Sequence, residues 1–390
     1  MFTVFGFGVV ALTAVLLERF SGSHYDIGIQ QGRAVRELMR EALDRMPNFE
    51  VMKLMRPRFV PASVFLALAK RRAAKLLRDD VFEYYPKQAE RLKGCAEGSG
   101  LDMSTLLFMV SLELLVGKPS YVVEACTCLA FGPQRTATGE TILAKNFDYL
   151  NDLAPYQLTC ETKPLEGYRT LGSNIGPQPG MLDGMNEHGL AVIYNLAYTT
   201  DAPRCYVPLS FVLQEMLETC RTTEQAVEFI TKAKQGGHDA LLTIADSEGN
   251  MKTVELTPNH SAVRETSDGQ IVNTNHFFTS EMQQYEIPHN AVYSGKSPKE
   301  MLGAKVHASS EARLKRALEL VKRKSKIDEE TILKVLRDHG AENKPSMLTI
   351  CRHAEYAGTL RSVIFNLNGK TMKVLYGNPC QNEYTEFGFS

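Results

Sequence analysis

The residues whose types and spacing could do chemistry are concentrated in one stretch, residues 124–149. Cys126 precedes a short apolar run, a Thr-Gly-Glu turn follows, and a second apolar run ends at Asp148. This arrangement predicts a β-hairpin with Cys126 at the start of its first strand and Asp148 at the end of its second. The two ends of a hairpin lie side by side, so we expect a thiol near a carboxylate.

Polar residues at other predicted strand ends could complete a site around Cys126. Asn195 and Asn275 follow apolar runs, and a buried amide needs hydrogen-bonding partners. The small Ala125 allows another part of the backbone to approach Cys126 closely. Taken singly, each amide or carboxylate could instead cap a turn, and a cysteine is more often a small core residue than a nucleophile. At this point both interpretations stay open.

Composition and motifs exclude several classes of protein. The chain has 390 residues, 44% of them hydrophobic, which is enough for one large domain with an elaboration or for two ordinary domains. Its formal net charge of −1 gives no electrostatic argument for nucleic acid or an acidic membrane as a partner. A Gly-rich phosphate loop and the strings GxSxG and HExxH are absent, so neither a nucleotide enzyme nor a zinc hydrolase is indicated.

The cysteines do not form a recognisable framework. There are eight, sparse and irregularly spaced, which favours reduced thiols in a cytoplasmic enzyme over disulfides. Cys126 and Cys128 form a CxC pair, and no second cluster has the spacing of a zinc site. We therefore expect no metal site.

The N-terminal residues 1–17 carry no charge and are mostly apolar. They lack a basic first segment and a clear small-residue cleavage site, which weakens a signal-peptide interpretation, and they are short for a membrane span. A buried strand with its lead-in is favoured. The alternative is an exported or membrane-anchored protein held through residues 1–17.

The order of predicted elements indicates an α+β fold. Residues up to about 120 are mainly helical, with predicted helices at 33–46, 62–77, 81–97 and 103–116. Short β-type runs separated by glycine and proline follow. Two helices, four strands, two more helices and three last strands (348–352, 362–366 and 370–376) complete the chain. This order predicts antiparallel sheets with helices packed outside them.

Four separated stretches resemble one known family. They are GSHYDIGIQQG, then CT…TGETILAKNFD, then GMNEHGLAVIYN, and finally NTNHF together with SSEAR, in this order over residues 21–313. The set resembles the N-terminal nucleophile (Ntn) hydrolases of the penicillin acyltransferase type, and more distantly the choloylglycine hydrolases. The resemblance implies an αββα sandwich, two stacked antiparallel sheets between helical layers, with a mainly helical N-terminal segment.

The resemblance also implies a precursor that cuts itself between Ala125 and Cys126. The products would be an α chain, residues 1–125, and a β chain, residues 126–390, together forming one integrated domain. Cys126 would then own both the sulfur nucleophile and a free α-amine. Because the reference pKa values of an α-amine and a thiol lie near 8 and 8.5, the amine can accept the thiol proton near neutral pH.

Further roles follow from the matched motifs. Asp148 resembles the aspartate that holds the new amine, and Asn195 and Asn275 resemble the donors to the tetrahedral oxyanion. Arg313 resembles the arginine that braces the active-site carboxylate or the amine.

Other positions depart from the family pattern or lie beside it. Lys145 lies where choloylglycine hydrolases carry an arginine, and Ala125 lies where glycine is common. We expect Cys128 to be a strand residue, with a second nucleophile or redox partner as the alternative. His276 is expected to pack or hydrogen-bond rather than to act as a base.

The implied activity is hydrolysis of an amide, or acyl transfer to an amine, through an acyl-enzyme. The expected partner is a small N-acyl substrate, with acyl-CoA as a further possibility, and no cofactor. The alternatives are a choloylglycine-type amidase, an unprocessed family member that only binds acyl ligands, and a thiol redox protein using Cys126 and Cys128.

Overall fold

The computed structural model describes residues 15–115, 125–176, 178–203, 205–234, 239–266, 268–295, 297–322 and 324–390. Most of the apolar segment 1–17, and with it the prediction made for that segment, lies outside these ranges. Within the described residues, no helix is both long enough and apolar enough to cross a membrane.

The described residues form eleven α-helices and fourteen strands. The helices are α1 His24–Ala34, α2 Arg36–Arg45, α3 Glu50–Met55, α4 Ala62–Tyr84, α5 Pro86–Ser99, α6 Met103–Leu115, α7 Leu209–Thr219, α8 Thr223–Lys232, α9 Ser280–Gln283, α10 Ala308–Lys322 and α11 Glu329–Leu336. The first six precede every strand but one, which agrees with the predicted helical N-terminal part.

The strands form two sheets. They are β1 Leu17–Gly22, β2 Ala125–Phe131, β3 Ile142–Leu150, β4 Gln157–Pro164, β5 Thr170–Ile175, β6 Asp183–Asn186, β7 Ala191–Leu196, β8 Ala240–Ala245, β9 Met251–Leu256, β10 Ser261–Glu265, β11 Gln270–Asn273, β12 Ala357–Asn366, β13 Thr371–Tyr376 and β14 Thr385–Gly388. One sheet has the order β1-β4-β5-β6-β7-β8-β9-β10 and the other β11-β2-β3-β12-β13-β14. Every pairing is antiparallel except that of β1 with β4.

Side chains on alternate faces of the strands build three apolar layers. Residues such as Cys128, Leu143, Ile193 and Val363 pack together between the two sheets. The outer face of the six-stranded sheet packs against α10 and α11. Helices α7 and α8 and the N-terminal helices cover the outer face of the eight-stranded sheet. The fold is therefore the αββα sandwich of the Ntn hydrolases.

Glycines bring α1 and α5 into very close contact. A Cβ atom added to Gly28 would lie 2.0 Å from the carbonyl oxygen of Arg91, and one added to Gly94 would lie 2.0 Å from that of Tyr25. No side chain can occupy either position at the present helix separation. These residues fix the packing of the N-terminal helices over the sandwich.

Two predicted elements are wrong. The predicted helix 81–97 is two helices, because Tyr85 precedes Pro86 and has φ −133° and ψ 64°, outside the helical region that a following proline disfavours. The predicted strand 348–352 is a turn. There the hydroxyl of Thr349 accepts from the backbone N–H of Ser346 and competes with strand pairing. Of the segment 1–17, the described residues include Leu17, which is the first residue of strand β1.

Candidate active site

The hairpin of β2 and β3 forms as predicted, but its register separates the thiol from the carboxylate. Asp148 lies opposite Ala125, and Phe147 lies opposite Cys126. Because successive residues of a strand point to opposite faces, the side chains of Cys126 and Asp148 leave the sheet on opposite sides. The prediction of a thiol beside a carboxylate is therefore wrong, because Asp148 is the cross-strand neighbour of Ala125, the residue before the cysteine.

Asn275 reaches the backbone of Cys126 because β11 lies beside β2. Asn273 pairs with Cys128 in an antiparallel register, which carries Asn275 to the level of Cys126. The peptide N–H of Cys126 donates to Oδ1 of Asn275 at 2.8 Å, and Nδ2 of Asn275 donates to the carbonyl of Leu196 at 2.8 Å. Cys126 is fully buried. The side chain of Asn275 thus holds the nitrogen of the Ala125–Cys126 peptide bond.

Arg313, on α10, contacts both Asn275 and the backbone of Cys126. Its guanidinium donates to Oδ1 of Asn275 at 2.8 Å, to the hydroxyl of Thr127 at 3.0 Å and to the carbonyl of Cys126. The side chain is 1% exposed. Burial lowers the pKa of Arg313 to about 10, while the charge of Asp148 opposes that shift. Arg313 remains a cation at neutral pH.

Asp148 is a fully buried carboxyl on the face of the sheet that α10 covers. Its Oδ1 accepts from the hydroxyl of Thr359 at 2.7 Å, and its Oδ2 accepts no hydrogen bond from any described residue. Burial raises the pKa of Asp148 to about 6, and the positive charges of Arg313 and Arg352 oppose that rise. One oxygen of this carboxyl is therefore available to a further donor.

Asn195 lies on β7, which packs against β2 across the space between the sheets. Residues two apart on a strand point to the same face, and Ile193 belongs to the apolar layer between the sheets. The side chain of Asn195 therefore points into that space. Asn195 is fully buried, and neither its amide nitrogen nor its amide oxygen has a partner among the described residues. A buried amide with no partner is rare in folded proteins.

Lys145 is engaged elsewhere in the space between the sheets. It is fully buried, its Nζ contacts Oδ1 of Asp183 at 2.7 Å, and it also donates to the carbonyl of Tyr194. Arg361 binds the other carboxylate oxygen of Asp183 at 3.1 Å. Lys145 therefore belongs to a buried ion-pair network, directly across the hairpin from Cys128.

The two residues expected to be structural have structural contacts. Burial raises the pKa of the Cys128 thiol to about 12, so this thiol stays protonated at neutral pH. Nδ1 of His276 lies 2.7 Å from the hydroxyl of Ser310, and its ring stacks on Phe278. Burial lowers the pKa of His276 to about 4. These surroundings favour packing roles for both side chains.

Two cavities adjoin the hairpin. One, of about 80 Å³, is lined by Ala125, Asn275, Arg313 and Arg352 together with tyrosines and α10 residues. The other, of about 50 Å³, is bounded mostly by apolar side chains, some from the N-terminal helices and some from the β3–β6 region, among them Phe147, the cross-strand neighbour of Cys126. The first lies at the proposed cleavage point and has Asn275, Arg313 and Arg352 in a partly apolar lining, and the second is an apolar space beside Phe147.

Sequence reasoning missed Arg352 and Thr359. Arg352 is 1% exposed, its backbone N–H donates to the hydroxyl of Thr359 at 3.0 Å, and that hydroxyl donates to Asp148. Neither residue belongs to a recognisable motif, and the strand end that carries Thr359 becomes adjacent to Asp148 only when β12 pairs with β3. No signal in the sequence could have found them.

The αββα sandwich is the fold of the Ntn hydrolases, and the family match places the chain in that class of protein. The chain belongs to the acyl-coenzyme A:6-aminopenicillanic acid acyl-transferase family, whose model matches residues 135–381, well over half of the sequence. The match contains Asp148, Asn195, Asn275 and Arg313. It begins after Cys126. No curated protein matches the sequence at a significant level.

Several solved structures are similar to this one. An N-acylethanolamine-hydrolyzing acid amidase ortholog of Caenorhabditis elegans has 15% identity and a TM-score of 0.43, covering 62% of this chain and 93% of its own. A variant of conjugated bile acid hydrolase from Clostridium perfringens has 17% identity and a TM-score of 0.43, covering 68% and 97%. Penicillin V acylase from Agrobacterium tumefaciens has 15% identity and a TM-score of 0.41, covering 64% and 83%.

Proposed function

We propose that this chain is the precursor of a cysteine-dependent amide hydrolase or acyltransferase, activated by cleavage between Ala125 and Cys126. The observation that carries the proposal is the environment of that peptide bond. Its nitrogen is held by Asn275, the neighbouring carbonyl is held by Arg313, and a cavity lies beside it. In a chain of this family, so many polar contacts on one buried junction favour chemistry over packing.

Activation begins when the Cys126 thiol attacks the carbonyl carbon of Ala125. The C–N bond breaks, the nitrogen leaves as the α-amine of Cys126, and Ala125 remains bound to the sulfur as a thioester. Water then hydrolyses the thioester, giving a carboxylate at Ala125 and a free thiol. Oδ1 of Asn275, which accepts from the peptide N–H in the precursor, would accept from the amine afterwards.

Turnover uses the same groups in a second cycle. The amine of Cys126 takes the thiol proton, and the thiolate attacks the substrate carbonyl to form an acyl-enzyme. Asp148, opposite Ala125 in the hairpin and with one carboxylate oxygen without a partner among the described residues, would hold the ammonium. Asn195 and Asn275 would donate to the oxyanion. Water completes hydrolysis, and an amine completes acyl transfer.

The apolar cavity beside Phe147 supports an acyl group as the part of the substrate held next to Cys126. A volume of about 50 Å³ accommodates only a very short chain, so a longer acyl group requires the surrounding side chains to move. A panel of N-acyl amino acids, N-acyl amines and acyl-CoA donors of increasing chain length tests this assignment. If the processed enzyme turns over none of these donors, the proposed activity is wrong.

A denaturing gel with mass spectrometry tests activation. We expect fragments 1–125 and 126–390, with Cys126 at a new N-terminus. Cys126→Ala should give only the intact chain and no turnover, because the sulfur nucleophile is gone. The matched control is Cys128→Ala, on the same face of the same strand, which should still cleave. An intact wild-type chain that hydrolyses amides would refute this mechanism.

A further inference from the structure

Four possible metal ligands converge on the side of the molecule away from the hairpin turn. His339, Cys351, His353 and Cys380 each offer one ligand atom, and these atoms all lie within 4.8 Å of one another. We call these residues the four-ligand cluster. They play no part in the proposed reaction.

The spacing of the ligand atoms fits a tetrahedral ion. Nε2 of His353 lies 3.4 Å from the sulfur of Cys351 and 3.4 Å from the sulfur of Cys380. Zinc bonds of about 2.3 Å to sulfur and about 2.0 Å to nitrogen, at tetrahedral angles, place a sulfur and a nitrogen about 3.5 Å apart. The cluster is thus contracted to nearly the size that a bound zinc ion would impose.

The polar atoms around the cluster support a ligand at its centre. Nε2 of His339 is buried and has no hydrogen-bond partner among the described residues. The amide nitrogen of Asn378 lies 3.9 Å from the sulfur of Cys351, in reach of a weak N–H···S contact that would orient a thiolate. The rings of His339 and His353 meet edge to face at 5.1 Å, so both can direct a nitrogen toward one point.

We propose that the four-ligand cluster is a structural Cys₂His₂ site for zinc. Four protein ligands fill a tetrahedral coordination sphere and leave no position for substrate, which is typical of structural rather than catalytic zinc. Two thiolates and two imidazoles suit zinc, and they do not suit magnesium or calcium, which prefer oxygen ligands.

The ion would join three separate segments of the chain within residues 339–380. His339 follows α11, Cys351 and His353 precede β12, and Cys380 follows β13. Between the two central ligands lies Arg352, which lines the cavity at the Ala125–Cys126 junction. The site would therefore fix the segment that positions Arg352 beside Asp148.

Metal analysis of the full-length protein, purified without a polyhistidine tag, tests the proposal. After zinc is supplied and excess is removed, we expect about one zinc per chain by mass spectrometry of the metal. Substitution with cobalt should give the absorption of a tetrahedral ion with sulfur-to-cobalt charge transfer. Zinc at background level, or a disulfide between Cys351 and Cys380 in the freshly isolated protein, would overturn the assignment.

Variants locate the site. Cys380→Ser is the principal variant because Cys380 is exposed and its replacement does not disturb the core. We expect zinc affinity more than about 100-fold weaker and a clear loss of cobalt charge-transfer intensity. The control, Cys205→Ser, changes a free cysteine outside the cluster and should keep one zinc. Equal zinc content in Cys380→Ser and Cys205→Ser would refute the proposal.

A stability measurement gives a second, independent readout. A chelator should lower the melting temperature of the wild-type protein and of Cys205→Ser, because the ion binds only the folded chain. The same chelator should leave Cys380→Ser unchanged. An equal shift in all three proteins would place the zinc elsewhere and contradict the assignment.

Discussion

At the level of single residues, the hydrogen bonds of two asparagines distinguish their roles. Asn275 has partners on both amide atoms, including the peptide N–H of Cys126, whereas Asn195 is equally buried and has none among the described residues. An amide without partners destabilises a resting protein, so its presence between the sheets requires a compensating benefit. A role in binding the oxyanion would provide one.

Replacing Asn195 by leucine should therefore raise stability and lower activity. Removing the unsatisfied amide should increase the free energy of unfolding by about 1–2 kcal/mol, while loss of an oxyanion donor should lower kcat by about 10²–10³-fold. Denaturant unfolding of the uncleaved Cys126→Ala background and turnover in the wild-type background measure the two effects. The matched variant Asn275→Leu should lose both stability and activity. A wild-type kcat in Asn195→Leu would exclude Asn195 from the oxyanion site.

The raised pKa of Asp148 makes precursor stability depend on pH. In the fold this carboxyl has a pKa of about 6 against its ordinary value of 3.8, so the folded chain keeps a proton that the unfolded chain has released. The associated stability is present below pH 4 and is lost as the pH rises to about 6. The difference corresponds to about 3 kcal/mol.

Comparison with Asp148→Asn in the Cys126→Ala background isolates the contribution of Asp148 ionisation to stability, because asparagine mimics the neutral carboxyl. The stability of the Asp148→Asn variant relative to its parent should increase by about 3 kcal/mol between pH 4 and pH 7. Urea unfolding at several pH values gives the difference. A constant difference over that range would show that Asp148 ionises normally.

At the level of elements, the contact between α1 and α5 depends on the absence of side chains. Gly94 faces the backbone of Tyr25, and Gly28 faces that of Arg91. These helices in turn support the wall of the apolar cavity near Phe147 through α2 and α6. A change in helix separation should therefore reach the proposed acyl site.

Gly94→Ala should destabilise the protein although alanine is the better helix former. Its methyl group would lie 2.0 Å from a backbone oxygen, so the helices must separate, at a cost of about 1–3 kcal/mol or more. The higher helix propensity of alanine, about 1 kcal/mol relative to glycine, does not offset the cost of separating the helices. Thermal unfolding checks the result. Glu90→Ala, on the exposed side of the same helix, serves as the control and should be within about 0.5 kcal/mol of the parent.

At the level of the whole molecule, the two proposed fragments are joined by structure that does not need the peptide bond. Strand β1, from the first fragment, is the edge strand of the eight-stranded sheet beside β4 from the second. The carboxylate of Glu218 accepts from Arg91 at 2.7 Å and lies 2.9 Å from Nε2 of His24, both in the first fragment. Cleavage should therefore leave a single particle.

Glu218→Gln tests this connection in the processed enzyme. The substitution leaves the cation of Arg91 buried without its counter-ion, which should cost about 3–5 kcal/mol. The two fragments should then dissociate at a lower urea concentration, as followed by size-exclusion chromatography. Glu228→Gln removes an exposed pair with Lys232 and should leave the urea concentration of dissociation nearly unchanged. Spontaneous dissociation of wild-type fragments in buffer would contradict the single-particle expectation.

The sequence by itself determined the α+β class, the hairpin and the positions of the family motifs. These follow from local patterns: alternation of apolar residues, turn residues such as those before β3, and short strings around Asn275 and Arg313 that resemble the family motifs. Local patterns also failed where side chains override them, as with Thr349 in the predicted strand 348–352, and at Pro86, where the residue before the proline leaves the helical conformation.

Only the tertiary structure decided which groups meet. The register of β2 against β3 sends the Cys126 thiol and the Asp148 carboxylate to opposite faces of the sheet. A shift of the register by one residue would place both on the same face, and the local sequence does not specify the register that closely. Arg352 reaches Asp148 through the pairing of β12 with β3. The four-ligand cluster, which the irregular cysteine spacing gave no reason to expect, depends on three chain segments closing on one point. Such contacts join residues far apart in sequence, and only packing fixes them.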